Sequence, residues 1–201
     1  MTYWFAGAAL FGYLLGSIPF GLLITRIAGL GDIRAIGSGN IGATNVLRTG
    51  RKDLALVTLL LDSFKAGLAV LIISSLSEQR NIGLVAGAFA FVGHCYPIWL
   101  GFKGGKGVAT YAGLLAFASW QGLAIALPVW LGLFLVTRIS SLAALTAAAL
   151  VPGGAMLLGE TKFAVLVLFA LSLLVFWTHR ANIGRLLKGA EPRFGAKKPN
   201  E

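Results

Sequence analysis

Apolar residues run through this chain in seven long blocks, and nearly all polar side chains fall in the short joints between them. The blocks cover about residues 3–27, 54–76, 82–100, 107–119, 122–137, 140–158 and 162–178. A helix needs about 20 predominantly apolar residues to cross a bilayer. The pattern predicts an all-α integral membrane protein, a seven-transmembrane-helix bundle. The fourth and fifth helices are expected to be short, or to form a re-entrant pair. The first block has neither the basic start nor the small-residue cleavage site of a signal peptide, so it reads as a retained helix. Pro19, Pro128 and Pro152 lie inside blocks and are expected to kink them. Gly12-x-x-x-Gly16 and Gly83-x-x-x-Gly87 predict close helix packing.

Composition sharpens this picture. Of the 201 residues, 57% are hydrophobic and 12% charged, against about 25% charged in soluble domains. One membrane domain is expected over residues 1–194, followed by a basic tail, 195–201. A net charge of +10 would suggest nucleic acid in a soluble protein. In a membrane protein, positively charged cytoplasmic loops account for it without a nucleic-acid partner. Counted over alternate joints of seven helices, one side receives Arg26, Arg34, Arg48, Arg51, Lys52, Lys103, Lys106 and Arg138. The C-terminal segment adds Arg180, Arg185, Lys188, Arg193, Lys197 and Lys198 to that side, fourteen in all. The other side has two, Arg80 and Lys162. The N-terminus is therefore expected outside, and the basic loops and C-terminus in the cytoplasm. The single cysteine, Cys95, excludes an intrachain disulfide, and no metal motif is present.

The candidate chemistry sits in three joints on the basic side. The first is Gly37-Ser38-Gly39-Asn40-Ile41-Gly42-Ala43-Thr44-Asn45-Val46-Leu47-Arg48. Its glycines let backbone N–H groups approach an anion, and Ser38 and Arg48 add directed donors. It formally contains a dinucleotide fingerprint, but that pattern has meaning only between a strand and a helix. The second is Gly101-Phe102-Lys103-Gly104-Gly105-Lys106-Gly107. It lacks the first glycine and the Ser or Thr of a nucleotide-binding P-loop. It leaves a lysine-bearing nest opening into an apolar run whose helix dipole would favour an anion. The third is residues 178–191, where His179 and Asn182 would share a face on a continuing helix. Asp62 and Lys65, near the middle of the second block at i, i+3, are either functional ionisable groups or a mutually neutral pair bracing the first loop. His94 reads as a packing or loop-bracing residue.

Three motifs together, residues 37–48, residues 93–97 with 101–107, and residues 179–191, resemble one family. It is the bacterial membrane acyl-phosphate:glycerol-3-phosphate acyltransferases (PlsY). The likeness runs over the whole chain, including Leu61-Asp62-Ser63-Phe64-Lys65-Ala66-Gly67. It implies a seven-helix enzyme of the bacterial inner membrane with cytoplasmic active-site loops. The implied reaction moves a fatty acyl group from acyl phosphate to the sn-1 hydroxyl of glycerol 3-phosphate, giving lysophosphatidic acid and phosphate, the first acylation of phospholipid synthesis. No cofactor is implied. Partners would be the two substrates, membrane lipid and an enzyme that supplies acyl phosphate.

Under that resemblance, Ser38, Arg48, Lys106, His179 and Asn182 form the reacting centre. Arg48 and Lys106 would neutralise phosphate, Ser38 and Asn182 would orient it or the acceptor, and His179 would donate to glycerol phosphate. Gly39, Asn40, Lys103, Gly104, Gly105 and Gly107 would line the phosphate pockets. Thr44 and Asn45 would hold the first loop in shape, and Glu191 would anchor the third through a neighbouring basic residue. A His followed five positions later by Asp, the signature of other glycerol-phosphate acyltransferases, is missing. An acyl phosphate needs no protein nucleophile, and its own phosphate can serve as base. A transporter of phosphorylated anions would use similar materials, but near the bilayer midplane and in related halves. A non-catalytic lipid-binding scaffold is the third reading.

Overall fold

The computed structural model describes residues 2–195, whose regular elements are all helices, with no strand among them. The expected tail lies outside these residues apart from Gly195. Two compact units divide at Trp120/Gln121.

The first unit begins with α1 (Thr2–Gly16) and α2 (Phe20–Ile27). Pro19 does more than kink the first block: it ends one helix and starts another. Proline has no N–H to continue the ladder and suits a helix start. The Ile18 carbonyl at this break accepts a hydrogen bond from Lys65 Nζ at 2.9 Å. A long connection follows, carrying 3₁₀ turns at Ile33–Ala35 and Leu47–Thr49 around the single turn α3 (Ala43–Val46). Then α4 (Lys52–Ser77) and α5 (Arg80–Cys95) form an antiparallel pair, and a 3₁₀ turn at Ile98–Leu100 leads to α6 (Val108–Ala118).

Small residues set the spacing in this unit. A Cβ on Gly12 or Gly16 would strike the backbone carbonyls of Ala86 or Ala90, so α1 lies directly against α5. Gly83 and Gly87 meet α4 at Val70 and Ser74 in the same way. Both glycine pairs thus do the packing expected of them. At the far end, Arg80 donates to the Ala118 carbonyl through Nε at 3.0 Å and Nη2 at 2.5 Å. That places a cation on the last turn of α6, where the helix dipole favours one.

The second unit contains α7 (Trp120–Thr137) from its second residue on, α8 (Ser140–Leu157), α9 (Lys162–Thr178) and α10 (Arg180–Leu187). Helices α8 and α9 pack together, while α7 is largely exposed along its length. The axis bends by 62° between α9 and α10, so His179 and Asn182 do not lie on one continuing helix as expected. Residues 189–194 then fold back, and the Phe194 N–H donates to the Arg138 carbonyl at 2.7 Å.

Five helical spans are long and apolar enough to cross a membrane: Thr2–Ile27, Lys52–Ser77, Arg80–Leu100, Trp120–Thr137 and Ser140–Leu157. The bent pair Lys162–Thr178 with Arg180–Leu187 makes a sixth if counted as one. The fourth block is short as expected: α6 has 11 residues, about 16 Å at 1.5 Å per residue, half a hydrocarbon core. The fifth is not. Trp120 and Gln121 extend α7 to 18 residues, a full span.

Candidate functional site

Asn45 organises the first loop. Its side chain is 2% exposed, and its Nδ2 lies 2.9, 3.1 and 2.8 Å from the carbonyls of Ile33, Ile36 and Asn40. Its Oδ1 accepts from the Ser38 N–H at 3.0 Å, with the Ser38 hydroxyl at 3.4 Å. One buried carboxamide therefore gathers four backbone points of the loop. Asn40 Oδ1 adds an Asx-type bond, accepting from the Gly42 N–H at 2.8 Å. Thr44, expected to share the bracing, is exposed.

Beneath the loop, Leu22, Ile33, Ile41, Val46 and Ala55 form a buried core against which Leu100 packs. Leu100 immediately precedes the second loop, so both loops stand on this core at one end of the unit. Ser38 and Gly39 are exposed above it. Gly37 has φ +59°, and a Cβ there would collide with Asn45 Oδ1 and lie 2.8 Å from Arg48 Cδ and Nη1. The exposed Arg48 side chain thus lies across the glycine turn that carries Ser38.

Neighbouring basic residues are already committed. Asp32 binds Arg34 at 2.5 Å and Arg26 at 3.2 Å. The Arg34 side-chain and backbone hydrogen bonds hold the Asp32 carboxyl well below the usual carboxylate range. Arg51 pairs with Asp53 at 2.7 Å.

The second loop is seated on the end of α5. The Gly104 N–H donates to the Cys95 carbonyl and the Gly105 N–H to the His94 carbonyl, each at 3.0 Å. A Cβ on Gly105 would overlap His94 Nε2, so only glycine lets the backbone rest on that imidazole. Gly107, at φ +81°, turns the chain against Phe91 into α6 and is its N-cap residue. Lys106 is half-buried at this turn and Lys103 exposed. The start of α6 and a lysine thus come together, and a helix N-terminus beside a cation suits an anion.

Under the loop lies a fully buried cluster that the sequence only half disclosed. Lys65 Nζ is 2.8 Å from Asp62 Oδ1 and 2.9 Å from His94 Nδ1. The i, i+3 ion pair was legible. Its links to His94, and through it to the second loop, and to the Ile18 carbonyl were not.

In the second unit, His179 is the joint between α9 and α10 and is 2% exposed. Its Nδ1 lies 2.8 Å from the Val175 carbonyl. A carbonyl only accepts, so Nδ1 carries the proton. Asn182 is buried in the first turn of α10 and donates to Glu191 Oε1 at 2.5 Å. Glu191 also accepts from Ser141 at 2.7 Å and from Arg185 Nε at 2.7 Å. The basic anchor expected for Glu191 is Arg185, and Ser141 is a partner the sequence did not reveal. Burial pushes the Glu191 carboxyl up, but bonds from Ser141, Asn182 and Arg185 outweigh it and hold the carboxyl below its ordinary value. Among the described residues, no group of three or more His, Cys, Asp or Glu is placed to hold a metal ion.

Apolar spanning helices with glycine-rich, basic and hydrogen-bonded joints define an all-α integral membrane protein. The family model for glycerol-3-phosphate acyltransferase matches residues 6–189. The glycerol-3-phosphate acyltransferase of Hyphomonas neptunium is 70% identical, over 96% of this chain and 94% of its own length. That of Maricaulis maris is 59% identical, over 95% and 88%. The crystal structure of PlsY (YgiH), an integral membrane glycerol 3-phosphate acyltransferase, in its glycerol 3-phosphate form superposes with a TM-score of 0.88 at 38% identity. It covers 95% of this chain and 96% of that one. Its lysophosphatidic acid form gives a TM-score of 0.86 at 37% identity, covering 95% of each. This chain belongs to the glycerol-3-phosphate acyltransferase family. The transporter and scaffold readings give way to an acyltransferase of phospholipid synthesis.

Proposed function

We propose that the protein transfers a fatty acyl group from acyl phosphate to the sn-1 hydroxyl of glycerol 3-phosphate, by direct transfer between the two substrates. The hydroxyl oxygen bonds to the acyl carbon, the bond from that carbon to the phosphate oxygen breaks, and the hydroxyl proton passes to a phosphate oxygen. The products are lysophosphatidic acid and phosphate. The observation that carries this reading is the pair of loops on one core. Ser38 and Arg48 stand on one, and Lys106 beside the start of α6 on the other. Such donors suit two phosphates rather than one, and charge on the leaving phosphate is where fixed donors accelerate acyl transfer.

Arg48 and Lys106 neutralise phosphate in this reading, and Ser38, Gly39, Asn40, Lys103, Gly104, Gly105 and Gly107 shape its pockets. His179 and Asn182 serve the acceptor. With Nδ1 held by Val175, His179 reaches a substrate only through Nε2, accepting when neutral and donating when protonated. The loops face the cytoplasm of a bacterial inner membrane, where glycerol 3-phosphate is available and an enzyme making acyl phosphate supplies the donor.

The test is to give purified protein glycerol 3-phosphate with palmitoyl phosphate, palmitoyl-CoA or palmitoyl-acyl carrier protein and measure lysophosphatidic acid. Palmitoyl phosphate should be the efficient donor. Equal turnover with either thioester would rule out the phosphate-assisted step.

A further inference from the structure

The cluster of Asp62, Lys65 and His94 is 1%, 2% and 4% exposed, and the reaction described above has no use for it. It lies where three pieces of the first unit meet. The Lys65 ammonium has three hydrogens and three close acceptors: Asp62 Oδ1 at 2.8 Å, the Ile18 carbonyl at 2.9 Å and His94 Nδ1 at 2.9 Å. The Ile18 carbonyl belongs to the break between α1 and α2, and α2 packs against the core of the first loop. His94 belongs to the end of α5, on which the second loop rests.

Asp62 Oδ1 is 2.8 Å from Lys65 Nζ and 3.5 Å from His94 Nδ1, so the carboxylate pairs with the lysine as an ammonium. With that pairing, donor and acceptor rules give the state of this imidazole. An ammonium can only donate, so the ring nitrogen facing it must accept. His94 Nδ1 therefore has a lone pair, the ring is neutral and its proton is on Nε2. That same Nε2 is the nearest atom to the Cα substituent position of Gly105. The carbonyls of His94 and Cys95 take the two N–H groups just before Lys106.

We propose that Lys65, charge-balanced by Asp62, is the positioning residue of the second substrate loop. It holds His94 as the Nε2–H tautomer, and that ring sets the height and turn of Gly104-Gly105 beneath Lys106. The proposal rests on the reading that this loop binds a substrate phosphate. Its effect is on geometry: a misplacement of about 1 Å near a reacting centre costs on the order of 10²-fold in rate.

The chain has two histidines, and the structure gives them opposite tautomers, Nε2–H at His94 and Nδ1–H at His179. Nitrogen-15 NMR of ring-labelled histidine in the full-length detergent-solubilised protein separates them, with His94→Asn assigning the signals. At neutral pH, His94 should be the fixed Nε2–H form. An Nδ1–H form or an imidazolium at His94 overturns the proposal. Lys65→Met combined with Asp62→Asn leaves no unpaired buried charge. It should release the tautomer and lower kcat/KM for glycerol 3-phosphate on the order of 10²-fold, mainly through KM.

His94→Asn keeps an acceptor for Lys65 but withdraws the ring from Gly105, and should raise KM in a protein of normal thermal stability. Support of the fold alone would reduce the yield of folded enzyme and leave KM and tautomer unchanged, and that result also overturns the proposal. If Lys106→Ala leaves kcat/KM unchanged, the phosphate role of the loop fails separately, because the tautomer measurement needs no substrate.

Discussion

The Asn182 amide donates to the Glu191 carboxylate at 2.5 Å, and the same oxygen accepts from Ser141 at 2.7 Å. A side chain on α10 is thereby fixed to the start of α8 through a residue of the returning segment. Removing this shared acceptor takes one hydrogen bond from each of three donors, at about 0.5–1.5 kcal/mol per bond. Glu191→Ala should lower both thermal stability and activity. Glu191→Gln keeps one acceptor and should be milder, which thermal unfolding and turnover of the two variants will compare.

The same carboxylate sets an acid limit. Glu191 is held below its ordinary value of 4.5 in the folded protein. It therefore contributes stability that is fully present above that value and is lost as pH falls through the lowered one. Thermal stability should decline on acidification below about pH 4.5, and Glu191→Gln should flatten that decline. An equally steep acid profile in the Gln variant would assign the effect to other carboxylates.

Asn45 should be the least replaceable residue of the first loop. Its two amide hydrogens are shared among the carbonyls of Ile33, Ile36 and Asn40. Asn45→Asp would place a carboxylate among those oxygens and should inactivate the enzyme and destabilise it more than Asn45→Ala. Thr44→Ala, at an exposed position, should be close to wild type in stability. Circular dichroism melts of the three variants decide this.

These residues show what the sequence made legible. Seven apolar blocks and three polar joints were readable because bilayer thickness and positive-inside loops impose length and charge on the chain. The full break at Pro19 was not, since a proline inside an apolar run permits either a kink or a restart. The length of α7 was hidden because Trp120 and Gln121 look like a polar joint when only hydropathy is counted. The i, i+3 spacing gave Asp62–Lys65, but His94 lies 29 residues beyond Lys65, a contact made by folding. Ser141 and Glu191, 50 residues apart, were beyond local pattern for the same reason.

Glycine positions give a graded test. Gly37→Ala would force a side chain into a left-handed backbone position, against Asn45 and Arg48. Gly105→Ala would push His94 Nε2 aside. Both should lose most activity. Gly184 lies in α10, and a methyl group added there would meet no atom within 4 Å. Gly184→Ala should therefore gain about 0.5–1 kcal/mol of helix stability and keep turnover. A damaged Gly184→Ala would mean that α10 docks closely on something in the working enzyme.

The charged residues and the cysteine test the chemistry itself. Arg48 is exposed and Lys106 lies in a loop, so Arg48→Ala and Lys106→Ala should leave a folded protein in detergent. Loss of one charge-stabilising donor typically costs about 10²–10³ in rate, and each variant should fall by that order. Cys95 is 3% exposed in the last turn of α5, beneath the loop and not on it. Direct transfer from an activated donor needs no acyl-enzyme, so Cys95→Ala should retain substantial turnover. His94 and His179 should also differ: the first acts through Gly105, whereas the second presents Nε2 from the α9–α10 joint. His179→Ala should therefore be the more severe in kcat. Cys95 decides the mechanism. If its removal abolishes turnover in an intact fold, or mass spectrometry traps an acyl thioester there, acyl transfer passes through the enzyme and not directly between the two substrates.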